Sequence, residues 1–207
     1  MRKIFIVLLS LCTLTVSAQN ATKILDQTAA KIKACGNVKL AFTATQFRGT
    51  NQLGSEDGTM LLQDKRIQLS TPLMTTWFDG KTQWNYIKKS NEVNVCEPTK
   101  KEMAAINPYT FLGMYKKGFR STCKESTLRG QETYEIHLTA RYKSMEAQEV
   151  YVDVRRSDFV PLCIRVRQDE LWTRIALNAF EPNQQFSDAD FTFPADQYPD
   201  ALVVDLR

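Results

Sequence analysis

From Ala21 to Cys35 the apolar positions return at helical spacing. Ile24, Leu25, Thr28 and Ile32 share a stripe, Lys23, Lys31 and Lys33 lie off it, and Gly36 follows where a C-terminal cap belongs. This spacing predicts an amphipathic helix with its stripe turned to a sheet. At Val38 the period drops to two: Val38, Leu40, Phe42 and Ala44 alternate with other residues along a strand reaching Phe47. Residues 49–58 are polar and read as a loop. Strands are then predicted near Thr59 to Gln63, Arg66 to Ser70, Thr75 to Phe78, Gln83 to Ile87 and Glu92 to Glu97, separated by short turns. The turn at Asp79-Gly80 offers positive φ angles between two aromatic-rich arms, a hairpin signal. Met74, Thr76 and Phe78 fall on one face of the first arm and Thr75 and Trp77 on the other, so both faces carry bulk and need cover.

Between Pro98 and Gly118 the strand pattern stops. Asn107-Pro108 is a helix start, Lys116-Lys117-Gly118 a stop, and Tyr109, Phe111, Leu112, Met114 and Tyr115 wrap most of the circumference between them. Residues 99–117 read as a lid; the alternative is a core helix that plugs the sheet. Alternation resumes at Phe119 to Glu125, Glu132 to Ala140, Ala147 to Arg155, Val160 to Gln168 and Thr173 to Glu181. Tyr134, Ile136 and Leu138, then Val150, Val152 and Val154, then Leu162, Ile164 and Val166 mark an apolar face. Glu135, His137, Glu149, Asp153, Arg165 and Arg167 mark a wet one. After Pro182 the tail is rich in polar residues and proline. Phe191, Phe193 and the run from Ala201 to Leu206 predict that it packs down again as a short edge strand.

The N-terminus stands apart. Arg2-Lys3, an apolar run from Ile4 to Val16, and small residues up to Ala18 read as a secretory signal over residues 1–18, leaving 19–207 as one exported domain. The run is shorter than the roughly 20 residues a membrane span needs. Losing Arg2 and Lys3 with it lowers the formal charge from +4 to +2. The remaining basic pairs are scattered, which argues against a nucleic-acid partner. Four cysteines stay in the mature chain, Cys35, Cys96, Cys123 and Cys163. An even count in an exported protein permits two disulfides in three connectivities, with buried free thiols as the alternative.

Their spacing fits no zinc pattern, and His137 is the single histidine, so neither a metal nor another cofactor is expected. His137 alternates with apolar neighbours in a strand and has no nucleophile in a recognisable motif beside it; no glycine-rich phosphate cradle occurs. These absences point to a binding protein, not an enzyme.

The order of a glycine-led apolar strand from Gly58, a turn with Lys65 and Arg66, a strand ending at Pro72, and then Asp79-Gly80-Lys81-Thr82-Gln83-Trp84 resembles the LolA-type periplasmic lipoprotein carriers. The strand from Val38 to Gln46 is similar to that family's first strand, and Phe191-Thr192-Phe193-Pro194 to its closing segment. The resemblance implies an α+β fold: an incomplete, strongly curved antiparallel β-barrel of about 10–11 strands, with helices covering the concave side. It also implies a hollow that shields acyl chains. The residues expected to line cavity and lid are Phe42, Met60, Leu62, Ile67, Leu69, Met74, Trp77, Trp84, Phe111, Leu112 and Met114; methionine suits a surface that must fit irregular chains. The implied partners are lipoprotein acyl chains or another lipid, an inner-membrane release complex and an outer-membrane acceptor, met by a monomer. The family's turn carries Arg-Pro, and its arginine is associated with lid closure. This chain has Gln63-Asp64-Lys65-Arg66 instead, with no proline, so Lys65 and Arg66 stand near that role without a residue-for-residue match. The alternatives are the same fold holding or sensing another amphiphile, such as a glycolipid, and a structural module whose hollow is filled by its own side chains.

Overall fold

A computed structural model describes residues 20–99, 102 and 118–207. The signal segment and Phe111, Leu112 and Met114, with the rest of the expected lid from residue 103 on, lie outside the described residues. Helix α1 spans residues 20–34. Twelve strands follow: β1 (Val38–Arg48), β2 (Asn51–Gln63), β3 (Arg66–Ser70), β4 (Met74–Phe78), β5 (Gln83–Ile87), β6 (Glu92–Cys96), β7 (Phe119–Leu128), β8 (Gln131–Ala140), β9 (Glu149–Arg155), β10 (Pro161–Gln168), β11 (Leu171–Glu181) and β12 (Leu202–Asp205).

They form one sheet in the order β12-β6-β5-β4-β3-β2-β1-β11-β10-β9-β8-β7. The two meanders meet where β1 pairs with β11, and neighbours run antiparallel except β12, which adds to β6 in parallel. Among the described residues β12 and β7 remain edges, so the sheet does not close.

The helix ends as its sequence dictates. Gly36 takes φ +60°, and the Cys35 N–H still donates to the Lys31 carbonyl at 3.1 Å. Its stripe is buried, with Leu25 and Thr28 at 1% and 0% exposure, and the Thr28 hydroxyl returns a 3.0 Å hydrogen bond to the Ile24 carbonyl. Ala21, Ile24, Leu25 and Ile32 pack on Phe119, Ile136, Leu138, Val150, Val152 and Val154, the apolar side of the second meander. The face that α1 touches is here called the inner face.

Several expectations change. Residues 51–58 are strand, not loop: β2 pairs with β1 from Asn51 onwards, and the hydrogen bonds Thr43 to Asp57 (2.5 Å) and Thr45 to Ser55 (3.0 Å) supply cross-strand contacts that polar residues can make. Among the described residues the strands number twelve against the expected 10–11, the expected tail strand being β12. In the turn after β4 only Gly80 takes positive φ, at +107°. Asp79 acts through its side chain instead, its Oδ1 accepting the N–H groups of Lys81 and Thr82 at 2.8 Å each. Cys35, Cys96 and Cys163 carry free thiols, so two disulfides are not formed.

Candidate functional site

Directly paired residues in an antiparallel sheet point to the same side, so the register carries the inner face across from α1 to the first meander. Ile136 pairs with Val152, Val152 with Ile164, Ile164 with Ile175, and Ile175 with Ala44. From β1 the rows run on through Val38, Leu62, Ile67 and Phe78, through Leu40, Met60 and Leu69, and through Phe42 and Gly58. α1 covers the second meander's end of this surface. Over β1 to β4 it is an apolar floor: Met60, Leu62, Ile67 and Phe78 are buried, with Leu40, Phe42 and Leu69 packed against them and partly exposed.

Five of the residues expected to line a cavity, Phe42, Met60, Leu62, Ile67 and Leu69, therefore stand together. Met74 is on the same face, farther along β4, opposite Ile87. Trp77 and Trp84 are not on it. They pair with one another on the outer face, where the tail covers Trp77: the Phe193 ring lies 5.5 Å from it and the Tyr198 ring 6.2 Å. The outer face of β4 is thus covered by the C-terminal tail. Leu40 and Phe78 belong to the floor and are not among the residues expected from the sequence; alternation with Met74 and Thr76 groups Phe78 correctly, but only the register says which face is inner.

Arg66 also faces outwards. It donates to Gln63 Oε1 at 2.6 Å, forms an ion pair with Asp188 and stands 4.9 Å over the Phe191 ring. The guanidinium thus clamps the C-terminal segment onto β3. Lys65 lies exposed in the turn before it.

On the outer face of the second meander the polar residues form ladders. Arg165 donates to Glu135 at 2.8 Å and to Asp153 at 3.4 Å, and Lys124 reaches Glu135 at 2.8 Å. Arg167 and His137 both meet Glu149, at 2.6 and 3.0 Å. Tyr151 lies between these ladders, stacked on His137 at 4.1 Å and beneath Arg165 at 4.6 Å. Burial pushes the Glu135 carboxyl up, but hydrogen bonds from Lys124 and Arg165 outweigh it and hold the group below the usual glutamate range. Asp153 is 5% exposed; there burial wins over the attraction of Arg165, and its carboxyl sits above the usual aspartate range. His137 Nε2 thus meets the Glu149 carboxylate at 3.0 Å and the Thr139 hydroxyl at 3.4 Å, with its ring held flat against Tyr151. Among the described residues no cluster of three or more histidine, cysteine or acidic side chains could hold a metal.

A model of the family described as outer membrane lipoprotein carrier protein LolA matches residues 11–170. The chain belongs to the LolA family. No curated protein matches it in sequence. Solved structures resemble this LolA-family chain in fold at low identity. An uncharacterized conserved protein from Thermus thermophilus aligns with a TM-score of 0.60 at 11% identity, over 90% of this chain and 99% of its own. The lipoprotein LppX of Mycobacterium tuberculosis aligns at 0.54 and 10% identity, over 83% of this chain and 100% of its own. LprF from Mycobacterium bovis aligns at 0.52 and 11%, over 83% and 97%. The open antiparallel sheet with a helix on its inner face is thus the LolA-family fold.

Proposed function

We propose that the apolar floor of β1 to β4 binds acyl chains, and that the protein is an exported, non-catalytic carrier moving lipoproteins toward the outer membrane. The observation that carries this reading is the grouping of Phe42, Met60, Leu62, Ile67, Leu69 and Phe78 on one face beside α1. Membership of a family described as lipoprotein carriers supports the cargo, and the basic-then-apolar N-terminus supports export. Phe111, Leu112 and Met114 extend the proposal as further chain contacts.

The energetics suit transport. Each buried methylene contributes about 0.8 kcal/mol, so a chain of about a dozen carbons contributes on the order of 10 kcal/mol before ordering costs are subtracted. A carrier must surrender its cargo, so contacts made by partly exposed side chains such as Leu40, Phe42 and Leu69 fit it better than a sealed core would. Native mass spectrometry of the protein extracted without detergent from a bacterial periplasm tests the reading: acylated adducts are expected, and depletion should leave lipoproteins in the inner membrane. A protein that carries no adduct, and whose depletion leaves lipoprotein sorting intact, would refute it.

A further inference from the structure

Towards β5 and β6 the inner face changes character. The register sets Thr76, Asn85 and Asn94 in one cross-strand row and Phe78, Gln83 and Cys96 in the next. Phe78 closes the apolar floor, so Gln83, directly opposite it, is the first polar residue beyond that floor. The Thr76 hydroxyl donates to Asn85 Oδ1 at 2.8 Å, and Gln83 Nε2 donates to the same oxygen at 3.0 Å. With two donors on its oxygen, the Asn85 amide is held with its Nδ2 directed away from both.

Gln83 is held as firmly. It is 7% exposed, its nitrogen is committed to Asn85, and its Oε1 is buried with no hydrogen-bond partner among the described residues. A buried amide oxygen without a donor loses its water and gains nothing in return, a cost that a ligand's donor would remove. Asn85 Nδ2 makes no hydrogen bond among the described residues, which leaves a donor on the residue that holds the Gln83 amide. The rows of Thr76 and Gln83 hold no charged side chain; Glu92, paired with Ile87 in the row beyond, is an acid. A phosphate or carboxylate would find no cation in those rows and would meet the Gln83 oxygen, which repels it.

We infer that Thr76, Gln83 and Asn85 form a neutral donor–acceptor subsite for the polar junction of an amphiphile, a hydroxyl or a secondary amide at the head of an acyl chain lying on the floor. The inference rests on the acyl-chain reading above. A junction of either kind gives its O–H or N–H to Gln83 Oε1 and takes the Asn85 Nδ2 hydrogen on its own oxygen. An ester without a hydroxyl fills only the second role.

Four probes of equal chain length test it on the mature protein by calorimetry or competitive fluorescence: a fatty acyl methyl ester, a monoacylglycerol, an N-methyl fatty amide and the free fatty acid. Wild type should bind the monoacylglycerol or the amide at least about tenfold more tightly than the methyl ester and the fatty acid, and the tighter of the two identifies the junction. In Gln83→Met, which keeps length but removes the amide, that gap should close. Equal wild-type affinities for ester, glycerol ester and amide would overturn the subsite and leave chain binding standing, as would a gap that persists in Gln83→Met. Failure of all four probes to bind would remove the acyl-chain reading and the subsite with it. The wild-type series decides even where the variant does not fold.

Discussion

The ring of Phe42 lies across Gly58 on the neighbouring strand, so close that a β-carbon added at Gly58 would stand 2.4 Å from Phe42 Cζ. The glycine at the head of the apolar half of β2 is there because of the ring it admits, since its backbone is not in the left-handed region. Gly58→Ala must displace Phe42 from the floor. Overpacking of this kind costs about 1–3 kcal/mol. In a double-mutant cycle with Phe42→Ala the two changes should couple by more than about 0.5 kcal/mol, the double variant being less destabilised than the sum. Additive urea-denaturation values would mean that the ring tolerates the methyl group.

The outer ladder makes the stability of the protein depend on pH through two carboxyls shifted in opposite directions. Glu135 is held low by Lys124 and Arg165, so its contribution is complete at neutral pH and is lost as pH falls from the ordinary glutamate range through the lowered folded value. Asp153 is raised by burial; its charged form opposes folding above that raised value, and the opposition is relieved as pH falls through it. Glu135→Gln should therefore lower stability at pH 7 by about 1–2 kcal/mol, because Arg165 keeps only its longer contact. The difference from wild type should vanish in acid. Asp153→Asn should change stability at pH 7 by less than about 1 kcal/mol. If Asp153→Asn proves the costlier substitution, the ladder depends on Asp153 and not on Glu135.

The tail and the floor occupy opposite faces of β4, which separates stability from binding. Trp77 is 3% exposed beneath Phe193 and Tyr198, and Tyr198 also lies 4.5 Å from Tyr86. Phe193→Ala should cost about 1–3 kcal/mol and shift tryptophan emission to the red as water reaches Trp77. Affinity for acyl probes should stay within about twofold of wild type at temperatures where the variant is folded. A large loss of affinity in the folded variant would tie the tail to the ligand.

Much of this architecture is legible in the sequence because alternation and turn chemistry are local. The second meander announces itself in Ile136, Leu138, Val150, Val152 and Val154, and α1 in Leu25, Thr28 and the Gly36 cap, since burial on one face leaves a period in the chain. What escapes is set by distant partners. Nothing in residues 51–58 shows that β1 will carry them as strand. Trp77 and Phe78 are equally apolar, so only the register and the returning tail decide that one meets Phe193 and the other the floor. Arg66 turns to the outer face because Asp188 reaches it from 122 positions away in the chain and Phe191 from just beyond. The Gln83–Asn85 pair reads as ordinary strand polarity until its unmatched oxygen is seen.

The central claim is that acyl chains lie on the inner face between β1 and β4. A fatty acid bearing a photoreactive group along its chain, irradiated with the mature protein and mapped by peptide mass spectrometry, tests it directly. The account predicts adducts on Phe42, Met60, Leu69 or their inner-face neighbours, suppressed by unlabelled monoacylglycerol. Labelling confined to the outer face, at Trp77, Trp84 or the Tyr151 ladder, or labelling that no competitor reduces, would contradict it.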